Sequence, residues 1–402
     1  MKRLRLAVFA YNHPESTLPL VKHLAKKGHF VDYYFVTHCR ATGSSALSFG
    51  RKVWLPGIRR GNKKFMKPYY DYMESSRVNI FLVVLPPYAL RYFYVMSRLL
   101  FLFMGLFLKS RKYDFINVVG QDPPLLDLLK TMGTGHNIYS SLHEVTPHYA
   151  SQSVNNKLVE HLISKGMNII THSNASREKL LQCGNAAANR IHVVPFGVFE
   201  TYCLFDGSAC EVPLEKPYIL NYGNILPYKG LDVLYEAAQL MGPRLDGMKI
   251  VVAGCGDDPY LERMNNDPRF VVINRYLSNE EIVALNKGAY CIVCPYKSAS
   301  QSGIVSTTYF FGKPIIASDV GGFNEYIIDG ENGLLVPPND PKALAESLSR
   351  LMTDAPLYEK LRKGALAFSS SPIYSWDAIA DQYMNIFSGT HDFEKQISRI
   401  NT

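Results

Sequence analysis

Residues 300–314, SQSGIVSTTYFFGKP, follow the apolar run AYCIVCPY and place serines, an amide and a glycine where a strand must end and a helix begin. The first turn of a helix leaves N–H groups unpaired and carries a partial positive charge. Gly303 would let a ligand approach the backbone closely, Ser302 can cap the helix, and Gln301 and Ser300 add donors. Such a junction can cradle a phosphate, and the same pattern also fits an ordinary capped helix. A second junction, GNILPYKGLD at residues 223–232, follows YILNY and precedes LDVLYEAAQLM. It sets Lys229 just before a helix start, where an ammonium could meet a phosphate. Two cradles in one domain point to a diphosphate rather than a lone anion. A third stretch, VAGCGDDP at residues 252–259, lacks the last glycine of a dinucleotide fingerprint and has Pro259 where the helix should tighten, so dehydrogenase chemistry is not expected.

These junctions need strands that end together. Short β-branched runs predict strands at Leu4–Ala10, Val31–Val36, Asn79–Val84, Phe115–Val119, Ile138–Ser141, Ile169–Ser173 and Ile191–Pro195. A second series is predicted at Tyr218–Tyr222, Lys249–Ala253, Phe270–Ile273, Tyr290–Cys294, Pro314–Ser318 and Gly333–Val336. Helical periodicity lies between most of them. In Ser16–Lys27, for example, Leu18, Leu20, Val21 and Leu24 share a face and Gly28 marks the end. Alternation of strand and helix predicts parallel sheets covered on both sides. With 402 residues the chain divides best into two doubly wound α/β domains, with a break near Phe199–Pro217. The expected bounds are 1–205, a basic first domain, then 206–372. A C-terminal helix in 373–402 is expected to cross back to the first domain.

The net charge of +8 is unevenly spread: residues 1–112 hold 20 Lys and Arg against 4 Asp and Glu. So basic a front segment suggests an anionic partner. Nucleic acid is not expected, because no recognised nucleic-acid module accompanies the charge. Residues 88–112, YALRYFYVMSRLLFLFMGLFLKSRK, contain the apolar run Leu99–Leu108, too short to span a bilayer that takes about 20 residues. Arg91, Arg98, Lys109, Arg111 and Lys112 flank it. The segment reads either as a buried helix or as a helix lying in a membrane interface, and the surrounding Arg59, Arg60, Lys63, Lys64 and Lys67 favour acidic headgroups. Seven scattered cysteines and no secretory leader lead to the expectation of a cytoplasmic protein, and the basic front segment adds an expected peripheral place on the inner face of the plasma membrane. Cys291 and Cys294 fall inside an apolar strand and read as structural thiols.

In order along the chain, GNILPYKGLDVLYEA, AGCGDD, NRYLSNEEIVALNKGAYCIVCPY and SQSGIVSTTYFFGKPIIASDVGGFNEYIIDGENGLLVPPNDPKALAESL resemble the C-terminal domain of the GT-B "group 1" glycosyltransferases. The resemblance is close over about residues 216–350 and thinner at SLHEV, THSNASREKL and HVVPFGV. It implies the GT-B fold, two doubly wound Rossmann-like domains facing across a cleft. The implied activity is transfer from a nucleotide-diphosphate sugar with retention, without a metal and with no cofactor. It further implies that Lys229 binds the donor diphosphate, that the helix from Gly303 caps the distal phosphate, and that Arg275, Tyr276 and Leu277 pass the nucleobase. Gly223, Asn224, Gln301, Ser302, Ile304 and Thr307 complete the expected donor site. His143 matches the histidine that faces the transferred sugar, and Asn12 and His13 fall on the acceptor side. Glu325 matches the glutamate of GG-x-x-E.

The chain departs from the family pattern at three places. Asn224 stands where the family has arginine, and the E-x7-E positions are Ala299 and Thr307. Tyr11-Asn12-His13-Pro14 replaces the glycine-rich loop after the first strand. Asp-x-Asp occurs nowhere in the chain, which fits metal independence. Two readings follow: a glycosyltransferase acting on a saccharide or lipid-linked saccharide, expected in bacterial surface polysaccharide synthesis, or a non-catalytic degenerate member serving as a binding or scaffolding subunit.

Overall fold

The computed structural model describes residues 3–11, 14–38, 57–61, 66–85, 91–120, 137–143, 159–182, 187–210, 217–245, 247–299 and 303–389. Two compact units emerge. The first holds residues 1–172, 176–196 and 372–402; the second holds 173–175 and 197–371. The sequence placed the division at 206 and 373; the structure has it at Gly197 and Pro372. Residues 197–205 go with the second unit because Phe199 N–H donates to Ser306 O there (3.2 Å).

In the first unit an eight-stranded sheet has the order β3-β4-β2-β1-β5-β6-β7-β8. The strands are β1 (Arg5–Tyr11), β2 (Phe30–His38), β3 (Gly57–Arg60), β4 (Val78–Leu85), β5 (Phe115–Val119), β6 (Ile138–Leu142), β7 (Asn168–Thr171) and β8 (Ile191–Val193). All pairings are parallel except β3 on β4. Strand β3 escaped the sequence reading because GIRR has no apolar run; it is a short antiparallel edge, and two arginines on such an edge discourage further pairing. Helix α1 (Pro14–Lys26) follows β1, α2 (Lys67–Met73) precedes β4, and α3 (Arg91–Arg111) joins β4 to β5. The core gathers Phe9, Tyr34, Val36, Val83, Met104 and Leu108 among others.

Helix α4 (Asn174–Gln182) follows β7, and its first two residues group with the second unit. The second unit is a six-stranded, all-parallel sheet in the order β11-β10-β9-β12-β13-β14. Its strands are β9 (Tyr218–Tyr222), β10 (Ile250–Gly254), β11 (Phe270–Asn274), β12 (Ala289–Cys294), β13 (Ile315–Ser318) and β14 (Leu334–Val336). Helices α5 (Leu231–Met241), α6 (Tyr260–Asn265), α7 (Asn279–Gly288), α8 (Gly303–Phe310), α9 (Pro341–Thr353) and α10 (Ala355–Ala367) connect and cover them. β9, β10 and β12 are buried along nearly their whole length, as strands covered on both faces must be.

Helix α11 (Trp376–Ser388) belongs to the first unit, where Phe387 stacks on Phe115 (4.9 Å) and lies 4.8 Å from Tyr139. Asp377 pairs with His23 of α1 and Asp381 with Lys27 just beyond the end of α1, each at 2.8 Å.

Candidate functional site

In the second sheet the chain order reverses beside β9, with β10 and β11 on one side and β12 to β14 on the other. Loops leaving the two strands at such a reversal turn opposite ways, and the crevice at their carboxyl ends is where open α/β sheets take ligands. The two junctions singled out in the sequence leave the strands at this point, one after β9 and one after β12.

After β9, Pro227–Lys229 forms a single 3-10 turn closed by Gly230 in the left-handed region (φ 70°), and α5 starts directly behind it. Only glycine fits at Gly230, because a Cβ would lie 1.9 Å from Pro295 O. This near-contact locks the Lys229 turn to the end of β12. Lys229 Nζ donates to the Tyr296 hydroxyl and lies 4.0 Å from the centre of the Tyr296 ring and 5.5 Å from that of Tyr228. Tyr296 is fully buried, packed on Phe323 at 5.2 Å and edge-on to Tyr228 at 5.9 Å. Burial pushes its phenol well above the usual range, so it accepts from the ammonium as a neutral group. The neighbouring Cys294 thiol is pushed up to about 12 by burial. Tyr296 carries no motif of its own in the sequence; its only signal is a tyrosine directly after Cys-Pro at the end of the central strand.

After β12, α8 begins at Gly303; Ser300, Gln301 and Ser302 lie outside the described residues. The sequence reading gave Gly303 the task of admitting a ligand. Its bare Cα instead makes room for Phe199, whose ring would stand 2.7 Å from an added Cβ. The amides of the first turn are a separate feature and do not depend on that face. Ile304 and Thr307 are both buried, and Thr307 Oγ1 donates back to Gly303 O at 3.0 Å, so its hydroxyl is turned along the helix. Gly223 and the exposed Asn224 lie at the mouth of the β9 loop; a Cβ on Gly223 would stand 4.0 Å from Lys229 Nζ.

Beyond β11, Tyr276 is 81% exposed and Leu277 half-buried. Arg275 pairs through both guanidinium nitrogens with Glu281, one hydrogen bond measuring 2.9 Å, and also donates to Tyr276 O (3.2 Å). Hydrogen bonds from Arg275 hold the Glu281 carboxyl below its ordinary range. Glu281 also closes a capping box with Ser278 at the start of α7. The loop bearing the exposed Tyr276 ring is thereby fixed to a helix. On the opposite margin Glu325 accepts from Asn174 N–H (2.7 Å) and Ala175 N–H (3.0 Å), a carboxylate set against the positive end of α4. Cys291 and Cys294 are buried and free of disulfide; three residues apart on a strand, they point to opposite faces.

His143 belongs to the first unit, at the end of β6, and is 7% exposed. Its ring lies 5.1 Å from His172 and 5.0 Å from Phe196, and His172 stacks on Phe196 at 3.9 Å. His172 Nδ1 meets Val194 O at 2.8 Å, which assigns the proton to that nitrogen. The three rings, with Ser16, Thr17 and Trp376, line a cavity of about 10 Å³, enough for one water. Asn12 and His13 lie outside the described residues.

Two Rossmann-like halves, each a parallel or largely parallel sheet joined by helices, define the GT-B fold. Sucrose-phosphate synthase from Thermosynechococcus elongatus has this fold, with a TM-score of 0.66 at 18% identity over 96% of this chain and 99% of that one. So does the Anabaena protein HepE in complex with UDP-glucose, with a TM-score of 0.64 at 15% identity over 96% and 100%. Residues 216–354 match the model of the glycosyl transferases group 1, and residues 16–200 match that of glycosyltransferase family 4. The chain belongs to the group 1 glycosyltransferases. Among curated relatives it is 25% identical over 238 residues to alpha-D-kanosaminyltransferase of Streptomyces kanamyceticus, covering 56% of this chain and 61% of the relative. It is also 25% identical over 252 residues to D-inositol 3-phosphate glycosyltransferase of Salinispora tropica, covering 57% and 52%. The match thus spans between half and two thirds of the length of these relatives.

Proposed function

We propose that the chain transfers a sugar from a nucleotide-diphosphate sugar to an acceptor hydroxyl, with retention and without a metal ion. The observation that carries this reading is the Lys229 ammonium beside the reversal in the second sheet, with the N-terminus of α8 following the neighbouring strand. As the bond from the anomeric carbon to the β-phosphate oxygen breaks, negative charge gathers on the leaving diphosphate. A fixed ammonium and aligned amides stabilise that charge more than the ground state, which lowers the barrier. Tyr296 holds Lys229 at the crevice before the donor arrives, so little ordering is left to do on binding. Asn224 in place of arginine leaves Lys229 with the larger share of this work. The exposed Tyr276 ring suits stacking on the base. For His143, 7% exposed beside its one-water cavity, we propose the role against the transferred sugar that the resemblance implies. The UDP-glucose held by HepE supports a uridine diphosphate donor. For the acceptor we propose a lipid-linked saccharide of bacterial surface polysaccharide synthesis, met at the inner face of the membrane, in keeping with the basic front segment.

A thermal-shift screen of UDP-, GDP- and ADP-sugars tests the donor. A ligand at about 100 times its Kd stabilises its site by about 2.7 kcal/mol, so one nucleotide class raises the melting temperature and Lys229→Met reduces the rise without removing it. The reading fails if no donor stabilises the protein, or if the nucleotide lies elsewhere in a soaked crystal. Binding without turnover on any acceptor would favour the scaffolding role. NMR of the product's anomeric proton reports the stereochemistry.

A further inference from the structure

Helix α3 is apolar nearly all round, and its two sides meet different fates. On the inner side Met104 and Leu108 are buried in the core of the first unit, with Leu100 packed against it. Its end is fastened by Arg111, whose guanidinium lies 3.3 Å from the buried Asp32 carboxylate and 5.0 Å from the centre of the Phe107 ring. On the other side Val95, Leu99, Leu102, Phe103, Leu106 and Phe107 are exposed, Phe103 by 68% and Leu106 by 56%. Their spacing of three and four residues puts them in one stripe about three turns long. Scattered exposed apolar residues are ordinary; a continuous stripe on a firmly seated helix marks a surface that something covers.

We propose that this stripe lies in the headgroup region of an acidic membrane. The helix does not cross a bilayer: no described helix is long and apolar enough to do so, and half of this one is enclosed by protein. Charge identifies the occupant. Residues 91–112 contain five Lys or Arg and no Asp or Glu. Arg98 is exposed along the margin of the stripe, and Arg59 and Arg60 are exposed on the edge strand β3. A second copy docking by the same face would bring these like charges together, as two-fold symmetry requires. Acidic lipid satisfies both parts at once, with hydrocarbon for the leucines and phenylalanines and phosphate for the guanidinium groups. The inference deepens the reading of a membrane-borne acceptor by giving the surface that would bring the first unit to it.

The test is flotation of the full chain with vesicles of phosphatidylcholine alone and with vesicles enriched in phosphatidylglycerol. The parent protein floats with the acidic vesicles and stays behind with the neutral ones. Phe103→Asp with Leu106→Asp lowers the floated fraction about tenfold or more. Arg98→Glu lowers the salt concentration at which binding is lost. All these side chains are exposed, so the variants fold, and the donor-induced thermal shift on each of them is expected to match the parent's. Retained donor binding with lost flotation supports this surface. Flotation without any donor effect leaves the surface standing and removes the enzymatic reading. Equal recovery with both vesicle types at low salt overturns the proposal, as does flotation of the double aspartate variant at the parent level. A parent dimer that the double variant dissolves, with no flotation of either, overturns it in favour of self-association.

Discussion

Lys229→Met removes one charge and keeps the aliphatic stem that packs on Tyr296. Opposite unit charges about 4 Å apart, at an effective dielectric constant of about 20, attract by about 4 kcal/mol. The half-buried lysine already has a hydroxyl and an aromatic ring as partners, and the diphosphate displaces water as well as meeting the ammonium. About 2–3 kcal/mol of that attraction should survive into the transition state. At 1.36 kcal/mol per decade this is a fall of roughly 30- to 150-fold in kcat/KM. Release of the nucleoside diphosphate, followed by a coupled assay at subsaturating donor, measures it. Because the charge on the leaving group grows during bond breaking, kcat should carry more of the loss than KM. The melting temperature without donor should hardly move, since the stem remains. A loss smaller than about threefold would refute the argument, because no ammonium would then be acting on the diphosphate. So would a loss carried wholly by KM, since uniform binding does not speed the chemical step.

Gly230→Ala forces a Cβ to within 1.9 Å of Pro295 O at φ 70°, so the Lys229 turn must shift; we expect a loss of about 2 kcal/mol or more in denaturant unfolding and no donor-induced thermal shift. Glu325→Gln exchanges a carboxylate for an amide at the N–H groups of Asn174 and Ala175; the second unit should lose about 1–2 kcal/mol in the same assay. The Asp267 carboxyl sits near 2 instead of 3.8, chiefly through its hydrogen bonds from Arg269. Because its folded value is depressed, the stability it contributes is complete above about pH 4 and disappears as the pH falls through about 2. Arg269→Met should cost about 1–2 kcal/mol at neutral pH and flatten the acid dependence of unfolding in that window.

What the sequence made legible follows from how each feature is built. Strands β9, β10 and β12 are buried on both faces, so continuous runs such as YILNY and CIVC mark them without ambiguity. GIRR has no run to find, and only its pairing with β4 makes it a strand. Lys229 was legible because it stands between a strand and a helix in the chain itself. Its partner Tyr296 is 67 residues away, and only the adjacency of β9 and β12 in the sheet brings the two together. Gly303 was found for a reason the structure changes: the close approach is made by the Phe199 ring, from a loop the sequence assigned to the other domain. Within residues 88–112 the helix Arg91–Arg111 buries one side and exposes an equally apolar other, which a one-dimensional hydropathy count cannot separate.

The first unit is completed by residues from Pro372 onward, while the second lies uninterrupted between Gly197 and Ser371 apart from three residues. A ribosome therefore delivers everything the rear half needs before the front half is whole. Until α11 emerges, Phe115 and Tyr139 wait without the Phe387 ring that packs against them. Maturation should then run against the direction of synthesis, the later-made half settling first, and a nascent chain halted at Ser371 would leave its front half a target for chaperones and proteases.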